Sequence, residues 1–262
     1  MAHLPPRPLP SGLRHRPTSV PLPGRPISER RAPAPVRRFE ILYENARGDI
    51  DEMAQMAPAI PPFEAAFSAF AHGTLILGAD GPIAIEDLLP GMPIQTRDHG
   101  LQNLIWIGAI TLVPRTSDPR VPPARLTRIT ADSIGLGRPN RDLVLGPHAR
   151  ILRRNPVCMS LFGTEAAFAP ADAFVDGLSI IDVAPVSPVR VFHLGLAGQH
   201  VLFANGIEVE SYHPGRLDTS GIAPALLPTF LNLFPHAEAL SDFGQMRIPR
   251  LSREDVLALE SS

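Results

Sequence analysis

From Gly73 to Tyr212 the chain is cut into short apolar runs: Thr74 to Leu77, Ile94 to Thr96, Leu104 to Ile107, Ile110 to Val113, Leu143 to Leu145, Val189 to Leu194 and Val201 to Phe203. Gly, Pro and Asp separate these runs, so each has the length of a strand and a turn beside it. Many short strands joined by frequent turns predict a mainly β domain. The clearest local signal is Asn205-Gly206 between two strand-like runs, because both residues tolerate the positive φ angles that a two-residue hairpin turn requires.

The 262 residues, 44% of them apolar, suffice for one main domain with tails. Residues 1–38 hold ten Pro, and eight Arg against one acid, Glu29. Proline fixes φ and removes backbone donors, so this stretch is expected to be a disordered, polyproline-like tail. No aromatic residue is interleaved with its Arg residues for base stacking, so nucleic acid is not an expected partner. All 24 basic residues are Arg, which reflects codon bias more simply than function. Residues 39–65 form a lead-in. Phe39 to Tyr43 reads as a strand, a turn follows near Gly48, a polar segment runs to Met56, and Phe63 to Phe70 has the spacing of one or two helical turns.

After residue 215 the predicted elements are helical and fill 216–262. Ala223 to Phe234 is apolar on most sides, with Pro228 at a first turn or break, and Ser252 stands three residues before Asp255 as a capping serine. Cys158, the single cysteine, excludes an intrachain disulfide and a cysteine metal cluster; its apolar neighbours predict a buried, inert thiol. No apolar run reaches the roughly 18 residues of a membrane span, and the Pro-rich start lacks a signal-peptide core. The chain is expected in the cytoplasm, with secretion by an unconventional route as the alternative. Gly135-Leu136-Gly137-Arg138-Pro139 lacks the Lys-Ser/Thr of a phosphate loop, and no cofactor is expected.

Several blocks together resemble a known family. His200, Ala204, Asn205, Gly206, Ile207 and Val209 match, at the same spacing, a closing block of the form His-Asn-Phe-Val-Ala-Asn-Gly-Ile-Leu-Val-His-Asn. Phe70-Ala71-His72-Gly73-Thr74 is similar to an opening Cys-Phe-x-x-Gly-Thr. Asp80-Gly81, Ile85-Glu86-Asp87-Leu88, Pro90-Gly91-Met92 and Trp106-Ile107-Gly108 follow in the order seen in bacterial relatives. These are blocks of the Hedgehog/intein, or Hint, family, and the resemblance covers residues 66–215. It implies a horseshoe-like β fold that brings the first residue of the domain beside its last, and an ancestry in autoproteolysis and protein splicing.

The resemblance also implies a chemistry, and the residues here depart from it. The family's first Cys attacks the preceding carbonyl; Ala69 holds that position, and a methyl group is no nucleophile. Ser68, one residue earlier, reads as an exposed serine or helix-end cap. The family's hydroxyl and imidazole, which polarise the scissile amide, fall on Gly146 and Ala149; His148 is one residue off and, on a strand, would face the opposite side. His193 takes the place of a catalytic Asp, and Glu210 and Ser211 replace the closing His-Asn pair.

A degenerate, non-cleaving domain is therefore expected. It would act as a binding or scaffold module, its old cleft holding an unidentified protein or peptide, or the chain's own N-terminal segment. Thr74, His148, His193, His200, Glu210 and Ser211 are the candidate cleft residues, and no metal is assigned. The competing readings are cleavage through an altered residue such as Ser68 or Ser211, and a repurposed hydrolase or metal site built from His148, His193, His200, Glu210 and Ser211.

Overall fold

The computed structural model describes residues 35–114, 123–215 and 221–260. The expected tail, as far as residue 34, lies outside them. In chain order the strands are β1 (Val36–Glu44), β2 (Ile50–Pro58), β3 (Phe70–Ala71), β4 (Leu75–Gly78), β5 (Gly81–Ala84), β6 (Pro93–Thr96), β7 (Gly100–Asn103) and β8 (Trp106–Leu112). They continue with β9 (Leu126–Ile129), β10 (Leu143–Leu145), β11 (Arg150–Arg154), β12 (Ala166–Pro170), β13 (Ile180–Val183), β14 (Val189–Gly195), β15 (Val201–Ala204) and β16 (Ile207–Glu210). Among the described residues, four short α-helices accompany them: α1 (Pro61–Ala65), α2 (Pro156–Phe162), α3 (Leu227–Leu231) and α4 (Arg253–Glu260).

Among the described residues, the strands form two eight-stranded antiparallel sheets. One runs β13-β9-β10-β3-β14-β8-β1-β2; the other runs β12-β11-β16-β15-β4-β6-β7, with β5 beside β4. The mainly β expectation holds. Asn205 (φ 48°) and Gly206 (φ 84°) make the turn between β15 and β16, with Ala204 opposite Ile207, as the dipeptide requires.

Two elements differ from the sequence reading. The polar segment after Gly48 is a strand, because β2 pairs with β1 along nine residues at the sheet edge, where polar side chains on both faces remain hydrated. The two runs around Gly108 are one strand, β8: a Cβ at Gly108 would lie 2.1 Å from the Trp106 ring and 2.5 Å from the Phe67 ring, so glycine here admits two aromatic neighbours rather than a turn.

One apolar core draws on both sheets, with Phe70, Ile107 and Phe192 from the first and Ile76, Ile94, Leu202 and Val209 from the second. A second core is rich in aromatic rings and joins segments far apart in sequence. Phe39 and Phe63 come from the lead-in, Phe67 and Trp106 from the domain, and Phe230, Phe234 and Phe243 from the C-terminal extension. The indole N–H of Trp106 donates to the Leu233 carbonyl at 2.9 Å, which satisfies the one polar atom that this buried ring carries. Helix α4 begins as its sequence predicts: the Asp255 N–H donates to Ser252 Oγ (3.1 Å) and the Ser252 N–H to Asp255 Oδ2 (2.7 Å).

Candidate functional site

The segment from Ser68 to Ala71 enters the first sheet between β10 and β14. The Ala69 N–H donates to the Phe192 carbonyl at 2.9 Å, and the Ala69 carbonyl accepts from the Gly146 N–H at 2.8 Å. Ala69 is buried, with its methyl group in the core shared by the two sheets. Ser68 is buried as well, which corrects the reading of an exposed serine: helix α1 and the 146–149 turn close over it. Its cap role survives, since Ser68 Oγ donates to the Glu64 carbonyl at 2.7 Å.

Ser68 Oγ also lies 2.8 Å from His148 Nδ1. The strand-face argument against His148 fails because His148 stands in the turn between β10 and β11, where side chains do not alternate. Its N–H donates to the Ser68 carbonyl (3.1 Å), so the turn wraps the serine from two sides. Burial, reinforced by the nearby Arg150 guanidinium, pushes the imidazole pKa down to about 4. A neutral imidazole beside a hydroxyl is a general-base pair in kind. The hydroxyl has one proton, however, and when it donates to Glu64, His148 can only donate to Oγ through its own Nδ1–H.

Gly146, where the ungapped resemblance would put the family's hydroxyl, leaves no room for a side chain. A Cβ there would stand 2.3 Å from the Ser68 carbonyl oxygen, closer than any side chain can approach. Ala149, at the position of the family's imidazole, is buried with its N–H on the Gly146 carbonyl. His193 lies on β14 against the rings of Phe70 and Tyr212. Burial, with Arg150, Arg250 and His148 adding to it, holds His193 well below the ordinary imidazole value.

At the closing end, Glu210 is buried and held by the C-terminal extension. Arg250 Nε donates to both carboxylate oxygens (2.9 and 3.0 Å), Gln199 Nε2 donates to Oε1, and Arg150 stands 3.7 Å away. Gln199 Oε1 in turn accepts from the N–H groups of Arg247 and Ile248, each at 2.8 Å. Burial lowers the Arg150 pKa, an effect that Glu210 opposes. Ser211 Oγ accepts from the His200 N–H (2.9 Å) and donates to the Gly198 carbonyl (3.4 Å), so this hydroxyl is committed to backbone.

The candidate residues thus separate into groups. His148 and His193 lie near Arg150, and the Glu210 carboxylate adjoins the same guanidinium. The His200 imidazole turns away toward Asp98, with Nδ1 3.2 Å from Oδ2, and Thr74 bonds locally to the Ala71 carbonyl (2.7 Å). The expected cleft is filled: Ser68 and Ser211 are 0% exposed and Ala69 is 1% exposed, so a peptide would have to displace core residues to reach them. A cavity of about 770 Å³ lies elsewhere, between His213 and the extension residues Leu227, Leu231, Leu240 and Met246. Sequence reasoning missed Arg250 and Gln199, whose contacts with Glu210 span 40 and 11 residues.

The family profile of the Hint domain matches residues 68–216, more than half of the chain. The chain belongs to the Hint domain family. The domain is therefore related to self-processing ones. Among solved structures, this Hint domain is similar to the solution structure of a bacterial intein-like domain from Clostridium thermocellum, at 14% identity and a TM-score of 0.36 over 55% of this chain and 99% of that one. No curated protein matches it. Among the described residues, no helix is long and apolar enough to cross a membrane.

Proposed function

We propose that this Hint domain no longer processes itself and serves as a scaffold that holds its two flanking segments together. One observation carries the reading. Phe39 and Phe63, before the opening block, and Phe230 and Phe234, after the closing block, share a single buried cluster with Phe67, Trp106 and Tyr212. A self-processing domain has to let its flanks go once the bond is broken. Here each flank covers apolar surface of the other, and at about 25 cal/mol per Å² a cluster of buried rings would hold them after any cleavage. The methyl group at Ala69 and the backbone commitments of Ser211 remove the two attacking groups that the family uses. A partner of such a scaffold would be a protein or peptide bound outside the filled cleft.

The Ser68–His148 contact favours a second reading, in which the Ser68 hydroxyl attacks the Phe67 carbonyl. Intact-mass measurement of the full chain, incubated with a thiol or hydroxylamine from mildly acidic to basic pH, separates the two. The scaffold reading expects the whole 28.3 kDa chain to persist. A fragment pair with a junction at Phe67–Ser68, abolished by Ser68→Ala, would replace it with the second reading; a junction at Glu210–Ser211 would overturn both.

A further inference from the structure

We propose that Asp98, His99 and His200 form a site for a divalent transition-metal ion of the zinc class, bound through two imidazole nitrogens and one carboxylate oxygen. Its set of ligands shares only His200 with the metal site considered from the sequence, and it is independent of the self-processing machinery.

The three ligand atoms lie within 4.8 Å of one another. Asp98 Oδ2 stands 2.9 Å from His99 Nδ1 and 3.2 Å from His200 Nδ1. Bonds of about 2.0–2.1 Å in a tetrahedron put ligand atoms roughly 3.3 Å apart, so both carboxylate-to-imidazole separations need to change by only a few tenths of an ångström. The two rings meet edge to face at 82°, with centroids 5.1 Å apart, so that they approach the shared carboxylate from different directions. Two nitrogens and one oxygen are a donor set that suits zinc, with the fourth position left to solvent.

The site is built on rigid parts. Asp98 and His99 lie in the turn between β6 and β7, fixed by Thr96 Oγ1, which accepts from the His99 N–H (3.1 Å) and donates to the Gly100 carbonyl (2.7 Å). Asp98 Oδ1 accepts from the Val201 N–H at 3.3 Å, and the Arg97 N–H donates to the Val201 carbonyl at 2.9 Å. His200 is buried, with its backbone held by Ser211, so its ring has little freedom to lose on binding. Holding ligands through such partners is what tunes metal affinity. An ion here would pin the β6–β7 turn to the start of β15.

One group opposes it. The Arg247 guanidinium contacts the His99 ring, with Nη1 on Nε2 and 3.4 Å from Nδ1. Arg247 is exposed, on a segment outside regular structure, so its side chain can swing into solvent. Its positive charge lowers affinity for a cation and makes a variant that a metal site alone would respond to.

The experiment is isothermal titration of zinc(II) into the untagged, chelator-stripped full chain, alongside cobalt(II) absorption as a report on tetrahedral nitrogen-oxygen ligation. One ion per chain is expected, weakened about tenfold or more by His99→Ala or Asp98→Asn and tightened about five- to tenfold by Arg247→Ala. His99 is exposed, so its variant reports binding in a folded chain. Absence of saturable binding in both the native and Arg247→Ala chains would overturn the proposal. Binding that His99→Ala leaves unchanged would also overturn it, by placing the ion elsewhere.

Discussion

The ring of Phe63, five residues before Ser68, stands edge-on against Phe230, 19 residues after Ser211, with centroids 5.5 Å apart and an interplanar angle of 85°. The opening and closing blocks are thereby closed over by their own flanks. Phe67 meets Trp106 at 5.1 Å, Trp106 meets Phe234 at 4.8 Å, and Phe234 stacks on Tyr212 at 5.3 Å, so the chain of rings runs without a break from lead-in to extension.

Phe234 is the hinge of that chain of rings, fully buried and in contact with Phe67, Trp106, Tyr212, Phe230 and Phe243. Phe234→Ala removes the ring from a site with rigid neighbours and is expected to destabilise the whole chain by about 3–5 kcal/mol. Urea unfolding measures this. A loss below about 1 kcal/mol, or a transition in which only the extension melts, would mean that the flanks are not one cooperative unit with the domain.

A nucleophile introduced at Ala69 should not produce cleavage. Ala69→Cys places a thiol at the family's position, yet Ser68 and Ala69 stay buried and Gly146 leaves no room beside the Ser68 carbonyl for the polarising hydroxyl. Intact mass under hydroxylamine is expected to be unchanged. The companion variant Gly146→Ala should cost about 1–3 kcal/mol, because its Cβ must push the Ser68 backbone away. Cleavage in Ala69→Cys would show that the remaining groups suffice.

Much of the fold is legible in the sequence where a residue answers to its own backbone. Asn205-Gly206 specifies its hairpin because both residues adopt positive φ, and Ser252 with Asp255 specifies a helix start. Gly108 is misread because the space it leaves is filled by the rings of Trp106, on its own strand, and of Phe67, 41 residues earlier. At the candidate site, Ala69, Glu210 and Ser211 are singled out by residue type alone, through the resemblance that sets them against the family's Cys and its closing His-Asn pair. The Ser68–His148 pair, 80 residues apart, and the Asp98–His200 pair, 102 apart, depend on which turns the sheets bring together, and the only local trace is the dipeptide Asp98-His99.

Glu210 tests the structural account of the closing block. Arg250→Ala would leave a carboxylate that is 3% exposed with one donor from Gln199 and the Arg150 guanidinium at 3.7 Å. A buried charge stripped of every partner costs about 3–5 kcal/mol, and with Arg150 still in place the loss is expected to fall below that range. Adding Glu210→Gln to that variant should recover part of the loss, because a neutral amide needs no counter-charge. A double-variant cycle read by urea midpoints checks this, and additive losses would show that the pair is not coupled.

The buried imidazoles set the expected response to acid. His148 in the folded chain takes up its proton only near pH 4, whereas in the unfolded chain the ordinary value of 6.5 applies. His236 behaves alike, with Nδ1 buried and unpartnered, and His193 and His213 are shifted in the same direction. Between pH 6.5 and 4 the unfolded state therefore binds more protons, and stability rises with pH in that window. Read downward, the loss begins as pH falls through 6.5, and the His148 share is complete near 4. The depressed carboxylates Asp98 and Glu208 cannot account for the upper part, since their unfolded values are 3.8 and 4.5. Urea midpoints are expected to fall steadily from pH 7 to pH 5, and His148→Gln should flatten the slope by removing one of the protons taken up. A midpoint constant across that range would mean that these imidazoles take up their protons in the folded chain as they do in the unfolded one.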